Sequence, residues 1–297
     1  MTANGSDAEI LIAISDKPHT RQLRSLDRIA GARVAFPSPK PMYRAFGEMI
    51  EHQVYDVAEL PITVFLQARA AGKPLLLLPV TLAAAFHHRS LVTPRDADID
   101  DPRVLIGKRI GVRSFSQTTG LWVRAWLEEE YDLRPQDSTW VVTEGSHLAA
   151  FQDPAYVKRA HAPLDELLRT GDLSAAVLSR VSQSWLRPVL ADPSGSARAW
   201  HARHGVVPVN HLVVVTERLA EQRPDMVRAI YRELTRGVEE TDCGGMLWEG
   251  ADAPHRLCYG IDAVAPAVGL AAEYAVRQNL IPTRPDLRSG FVPANLT

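Results

Sequence analysis

Residues 107–127 read GKRIGVRSFSQTTGLWVRAWL: a short apolar strand, a loop of hydroxyl side chains, and a helix whose first turns lack acidic residues. A helix N-terminus leaves backbone N–H groups unpaired and carries partial positive charge. Ser114, Ser116, Thr118 and Thr119, with Arg113 beside them, therefore suit a carboxylate or another small anion. Ordinary capping by Ser116, Thr118 or Thr119 is the plainer alternative. Arg113 and Arg21 can each clamp a carboxylate bidentately, or stand solvated or ion-paired. Histidine gives and takes protons near neutrality. His87 and His88 in AFHHRSLV and His211 in VVPVNHLVVV adjoin apolar stretches, where a hydrogen-bonded structural role is the competing reading. Glu59 ends the strand-like YDVAEL just before a helix, and can accept a hydrogen bond from a ligand hydroxyl or favour that helix's dipole. Neighbouring strand residues point to opposite faces, so one of each adjacent pair, His87/His88 and Asn210/His211, is expected on a given face. For the same reason the HH pair makes a poor metal site, and no H-x-x-x-H helix is present. No metal and no cofactor is expected.

The elements that must position these residues alternate. EILIAIS, YDVAEL, KPLLLLPV, SLVT, the strand before the hydroxyl loop, TWVV, LSAAVLS and VVPVNHLVVVT read as strands. PMYRAFGEMIEH, ITVFLQARAAG, the stretch from about Gly120 to Tyr131, LDELLRTG, PDMVRAIYRELTRGVEE and APAVGLAAEYAVRQNL read as helices. Pro61 is expected at the first position of its helix and Gly171 at the end of another. Residues 192–205 read as a polar Gly/Ser-containing connection. Strands alternating with helices predict an α/β protein with mostly parallel sheets.

The chain has 297 residues, 46% hydrophobic and 23% charged, beyond the usual size of one core, so two domains are expected. With 33 basic against 35 acidic side chains and no long basic run, neither nucleic acid nor a membrane surface is an expected partner. The start, MTANGSDAEILIAIS, lacks the basic residues and long apolar run of a signal peptide, so a cytoplasmic location is expected. Cys243 and Cys258 have no metal spacing and are expected to be reduced packing thiols. PLLLLPVTLAAAF is too short to span a bilayer.

Several segments together resemble the 4,5-dihydroxyphthalate decarboxylase family. They are SDKPHTRQL with Thr20 and Arg21, YDVAELPITVFLQARAAGKPLLLLPV with Glu59, and AFHHRSLV with His88. LIGKRIGVRSFSQTTGLWVRAWLEEEYDL with Thr118, Trp122 and Arg124, VVPVNHLVVV with His211, and CYGID complete the set. The resemblance covers most of residues 9 to 282. It implies a two-lobed type II periplasmic-binding-protein-like fold with a ligand cleft between two α/β sandwich lobes. Residues 1–84 and 207–297 would form one lobe and 85–206 the other. It further implies decarboxylation of a hydroxylated aromatic acid: the ring carbon must take a proton as carbon dioxide leaves, and a hydroxyl para to it supplies electron density. His88 and His211, with Glu59, would then be the acid/base groups. His19, Thr20, Arg21, His87, Arg113, Ser114, Ser116, Thr118 and Thr119 would contact the substrate, a small aromatic or cyclic carboxylate. The family pattern has proline and glutamate where this chain has Arg113 and Ser114, and arginine at His87. One carboxylate fewer and one cation more in that loop favour an anionic ligand and alter its contacts.

Two further functions share this fold. One is a non-catalytic solute-binding protein of a transport or sensing system, which has no need of the histidines; the other is a lyase or dehydratase for a cyclic carboxylate. A homo-oligomer is left open.

Overall fold

The computed structural model describes residues 9–241, 246–250 and 253–297, so Cys243 and the first eight residues of the leader reading lie outside it. The chain divides into two compact units. The first comprises Met1–Ala84, Val209–Gly269 and Pro285–Thr297; the second comprises Ala85–Pro208 and Leu270–Arg284. The stretch 270–284, which the resemblance places in the first lobe, thus packs with the second unit.

In the first unit, β1 (Ile10–Ala13), β2 (Arg28–Ile29), β3 (Ala32–Ala35), β4 (Val57–Pro61), β5 (Leu75–Ala84) and β12 (Val209–Thr216) form one sheet, ordered β2-β3-β1-β4-β12-β5. β1 runs parallel to β3 and β4, while β12 is antiparallel to both β4 and β5. All five residues of β4 are buried, as expected of a strand covered on both faces. Around the sheet lie α1 (Arg21–Arg24), α2 (Arg44–His52), α3 (Ile62–Ala70), α7 (Glu217–Gln222), α8 (Pro224–Glu240) and part of α9 (Ile261–Arg277). α8 buries Met226, Val227, Ile230, Leu234 and Val238, one face of a 3.6-residue repeat, against Ile12, Ile14, Leu78 and Val80.

In the second unit, β6 (Leu91–Pro94), β7 (Arg109–Val112), β8 (Thr139–Val142), β9 (Val157–Arg159), β10 (Ala175–Val177) and β11 (Leu186–Pro188) are ordered β11-β6-β10-β7-β8-β9. β10, β7, β8 and β9 are mutually parallel, and β6 at one side is antiparallel to both β10 and the edge strand β11. α4 (Thr118–Tyr131), α5 (Leu164–Arg169) and α6 (Pro193–His204) belong to this unit.

Three local expectations are corrected. The polar stretch 192–205 is α6: Asp192 accepts from the Gly195 N–H, Pro193 occupies the first turn, and Gly205 closes the helix at φ 66°. Ala197 and Trp200 anchor it, so two apolar residues suffice to dock a helix whose caps are strong. Pro61 is the N-cap of α3 rather than its first residue. His87 and His88 stand in the turn after β5, where strand alternation does not apply, and both are buried. No helix among the described residues is long and apolar enough to cross a membrane.

Candidate active site

The first unit brings together Glu59, His211 and Lys17. Glu59 lies on the central strand β4 and is 1% exposed. His211 sits across from Pro61 in the antiparallel register of β12, which puts its side chain diagonally over Glu59. The ladder of β12 with β5 shifts register on both sides of His211, a bulge of the kind that re-aims a side chain. The result is a 2.5 Å hydrogen bond between His211 Nδ1 and Glu59 Oε1. The Lys17 ammonium donates to the same oxygen at 2.8 Å and to the Leu82 carbonyl at 3.2 Å. Glu59 Oε2 accepts the Ser15 N–H at 3.0 Å.

Burial alone would raise the Glu59 carboxyl. The hydrogen bond and charge of His211, and then those of Lys17, outweigh it and hold the group well below its ordinary value. Glu59 is therefore an anion at neutral pH. A carboxylate only accepts hydrogen bonds, so the Nδ1 proton of His211 points at it and Nε2 remains for chemistry. His211 keeps 29% of its side chain exposed, and Lys17 27%. The ring of Phe46 meets the imidazole edge-on at 5.6 Å and limits its rotation.

The loop after β1 holds Lys17 in place. The Thr20 hydroxyl donates to the Ser15 carbonyl at 2.7 Å and accepts from the Lys17 N–H at 2.9 Å. Thr20 is fully buried and shapes the loop. His19 is buried beside Lys17 and Glu59; burial first, then the Lys17 charge, lowers its imidazole. Arg21 is 71% exposed, with its Nε 3.8 Å from Asp16. Behind the loop runs α8, so close that a Cβ on Gly237 would stand 2.1 Å from the His19 carbonyl oxygen. Gly237→Ala must displace this backbone. It is expected to cost about 1–3 kcal/mol in a denaturant titration, as overpacking does, and to loosen the Lys17 contact.

The second unit holds the hydroxyl loop. Gln117 is the N-cap of α4 and makes no side-chain capping bond. The Ser114 hydroxyl donates to the Gly145 carbonyl at 3.0 Å and lies 3.1 Å from that of Ser116. Ser179 gathers Gln117 Nε2 at 2.7 Å and the Thr119 hydroxyl at 3.2 Å. Ser114, Ser116, Thr118 and Thr119 are all buried. Arg113 is 34% exposed, with its guanidinium 3.4 Å from the Glu144 carboxylate. His147 adjoins it; burial, then the Arg113 charge, pushes that imidazole down to about 4, so it is neutral at neutral pH.

His88 lies in the second unit and is 2% exposed. It stacks on Trp126 at 5.4 Å, with Phe86 and Trp200 on other sides, and Nε2 is 3.8 Å from Glu130 Oε1. His87 turns its Nδ1 toward the Ser90 hydroxyl at 3.5 Å. Lys17 and His147 escaped the sequence reading. Lys17 stands three residues before Thr20 in the segment SDKPHTRQL, and nothing else marks it. Among the described residues no group of three or more His, Cys, Asp or Glu is arranged to hold a metal ion.

No family model matches the chain. The 4,5-dihydroxyphthalate decarboxylase of Comamonas testosteroni is 28% identical over 253 residues, covering 76% of this chain and 74% of that protein. That of Pseudomonas putida is 32% identical over 175 residues, 54% of this chain and 66% of the relative. Among solved structures, the periplasmic aliphatic sulphonate binding protein SsuA from Escherichia coli aligns over 95% of this chain and 91% of its own, at 13% identity and TM-score 0.53. The desulfurization enzyme DSZB aligns over 97% of both chains, at 16% identity and TM-score 0.56. A binding protein and an enzyme thus share the fold, and at such identities the likeness speaks for the fold alone. By sequence the chain is similar to these 4,5-dihydroxyphthalate decarboxylases, and it is built on a type II periplasmic-binding-protein-like fold.

Proposed function

We propose that this chain is a carboxy-lyase that releases carbon dioxide from 4,5-dihydroxyphthalate or a closely related hydroxylated aromatic carboxylate. The Glu59–His211 pair carries the reading. A receptor site needs no buried carboxylate to fix one imidazole tautomer, whereas a proton-transfer catalyst does.

In the reaction the bond from the ring carbon to the carboxylate breaks, its electron pair stays on the ring carbon, and a proton from His211 Nε2 is captured there. Carbon dioxide leaves, and the neutral imidazole regains a proton from water. Glu59 favours the imidazolium that must form beforehand, since its charge is held 2.5 Å from Nδ1. The Lys17 ammonium holds the phenolic oxygen para to the reacting carbon, the group that supplies electron density to the ring. Arg113 and the hydroxyls of Ser114, Ser116, Thr118 and Thr119 recognise the substrate carboxylate, with Arg21 as a further cation. His88, enclosed by aromatic rings, serves the packing of its unit. We place the reaction in the cytoplasm, and a homo-oligomer is compatible with it.

Arg113→Ala is expected to weaken substrate binding by about 1.5–3 kcal/mol, the range for a charged hydrogen bond. Competition from Glu144 places the expected value at the lower end. Unchanged affinity in a titration would return Arg113 to an ion pair with Glu144. The function itself is tested by offering a panel of hydroxylated benzoates and phthalates while carbon dioxide is followed. Turnover of a para-hydroxylated acid is expected. Tight binding without carbon dioxide from any compound would assign the fold to solute binding instead.

A further inference from the structure

Arg124, in the second turn of α4, is 1% exposed and has no carboxylate within ion-pair distance among the described residues. Its Nε donates to Gln278 Oε1 at 2.8 Å and its Nη2 to the Phe115 carbonyl at 2.7 Å. The rings of Phe115 and Trp140 close over the guanidinium at 4.1 and 5.0 Å. Gln278 is fixed in turn by donating to the Leu121 carbonyl at 2.9 Å. Nη1 is buried with no hydrogen-bond partner among the described residues, and it lies 3.0 Å from where a Cβ on Gly120 would be. The cation is thus lodged beneath the first turn of α4, with an N–H directed there. Burial lowers the guanidinium to about 9, which leaves it charged at neutral pH.

Asp153 acts on the guanidinium only from beyond ion-pair distance, and a buried charge with no counter-ion in contact is costly, a cost retained chiefly where function needs it. A neutral side chain with an N–H donor could satisfy the Phe115 carbonyl without bringing in a charge. We propose that Arg124 is a positioning residue for substrate recognition. It holds the Phe115 carbonyl, and so the hydroxyl loop of residues 113–119, in a fixed form. Its unneutralised charge adds to that of the α4 N-terminus, and the counter-ion is the substrate's carboxylate bound at the loop. Arg124 acts through the loop and does not touch the substrate. The inference rests on the assignment of that loop to a carboxylate.

The test compares wild type, Arg124→Met and Arg124→Lys, with 4,5-dihydroxyphthalate for turnover and phthalate as a probe of binding alone. The Met variant is expected to raise KM and the phthalate Kd about tenfold or more, with kcat within about threefold of wild type. Lys keeps a charge but cannot hold Phe115 and Gln278 together, so its values fall between the two. A merely structural role would lower the melting temperature and leave KM and Kd unchanged below it, and that result in the Met variant overturns the inference while the decarboxylase reading stands. Should the Met variant not fold, a wild-type KM and Kd in Arg124→Lys overturns it equally. If wild type binds phthalate but releases no carbon dioxide, the decarboxylase reading fails and the phthalate Kd still decides the role of Arg124. If wild type does neither, the loop assignment and this inference fall together.

Discussion

Replacing His211 by Gln is expected to lower carbon dioxide release by about 10²–10⁴-fold, the usual contribution of a general acid or base. Gln preserves much of the shape and can still donate to Glu59, but it offers no proton of suitable acidity where Nε2 stood. The effect belongs to kcat, because the proton moves only as the ring carbon reacts; affinity for phthalate, which bears no hydroxyl, should change little. Separate measurement of kcat and of phthalate Kd checks this. A variant that loses affinity but keeps its turnover number would make His211 a binding residue.

The second large effect is expected at Glu59. Glu59→Gln removes the anion that fixes the His211 tautomer and favours its protonated form, so carbon dioxide release should again fall about 10²–10⁴-fold. It also leaves Lys17 beside a neutral amide. A fully enclosed pair would lose about 3–5 kcal/mol on losing one partner. Here the Lys17 and His211 side chains keep 27% and 29% exposure, so water replaces part of the loss and about 1–3 kcal/mol is expected. The wild-type pH dependence has a definite sign. The folded Glu59 carboxyl lies well below its ordinary 4.5, so the stability it contributes is complete above 4.5 and is lost as pH falls from there through the folded value. Glu59→Gln should abolish that part of acid destabilisation, and urea titrations between pH 3 and 7 would show it as a flatter profile. A parallel profile in both proteins would contradict the buried-anion description.

Glu59 and His211 were legible in the sequence because each ends or interrupts an apolar strand, where a polar group needs a reason. That they meet was not legible. It depends on β12 returning about 150 residues later to lie antiparallel to β4, a pairing that no local pattern encodes. Lys17 carries no local signal at all: lysine in a loop is ordinarily solvated, and it reaches Glu59 only because β1 lies beside β4 in the sheet. The hydroxyl loop was readable as a unit through the strand-to-helix transition. Which atoms cap and which bond across to Gly145 and Ser179 depended on neighbouring loops. His88 shows the opposite case. Its residue type suggested chemistry, but Trp126 from α4 and Trp200 from α6 enclose it, and α6 itself read as a polar connection because its buried face is only two residues wide.

The central claim is that a ring carbon exchanges its carboxylate for a proton in this protein. The most direct measurement is proton NMR of 4,5-dihydroxyphthalate incubated with the wild-type chain in deuterium oxide, with the released carbon dioxide trapped and quantified. The account predicts one equivalent of carbon dioxide per substrate consumed, deuterium at the vacated ring carbon, and near-complete loss of both signals in the His211→Gln variant. Bound but unaltered substrate in the wild type, with no carbon dioxide in the trap, would contradict it.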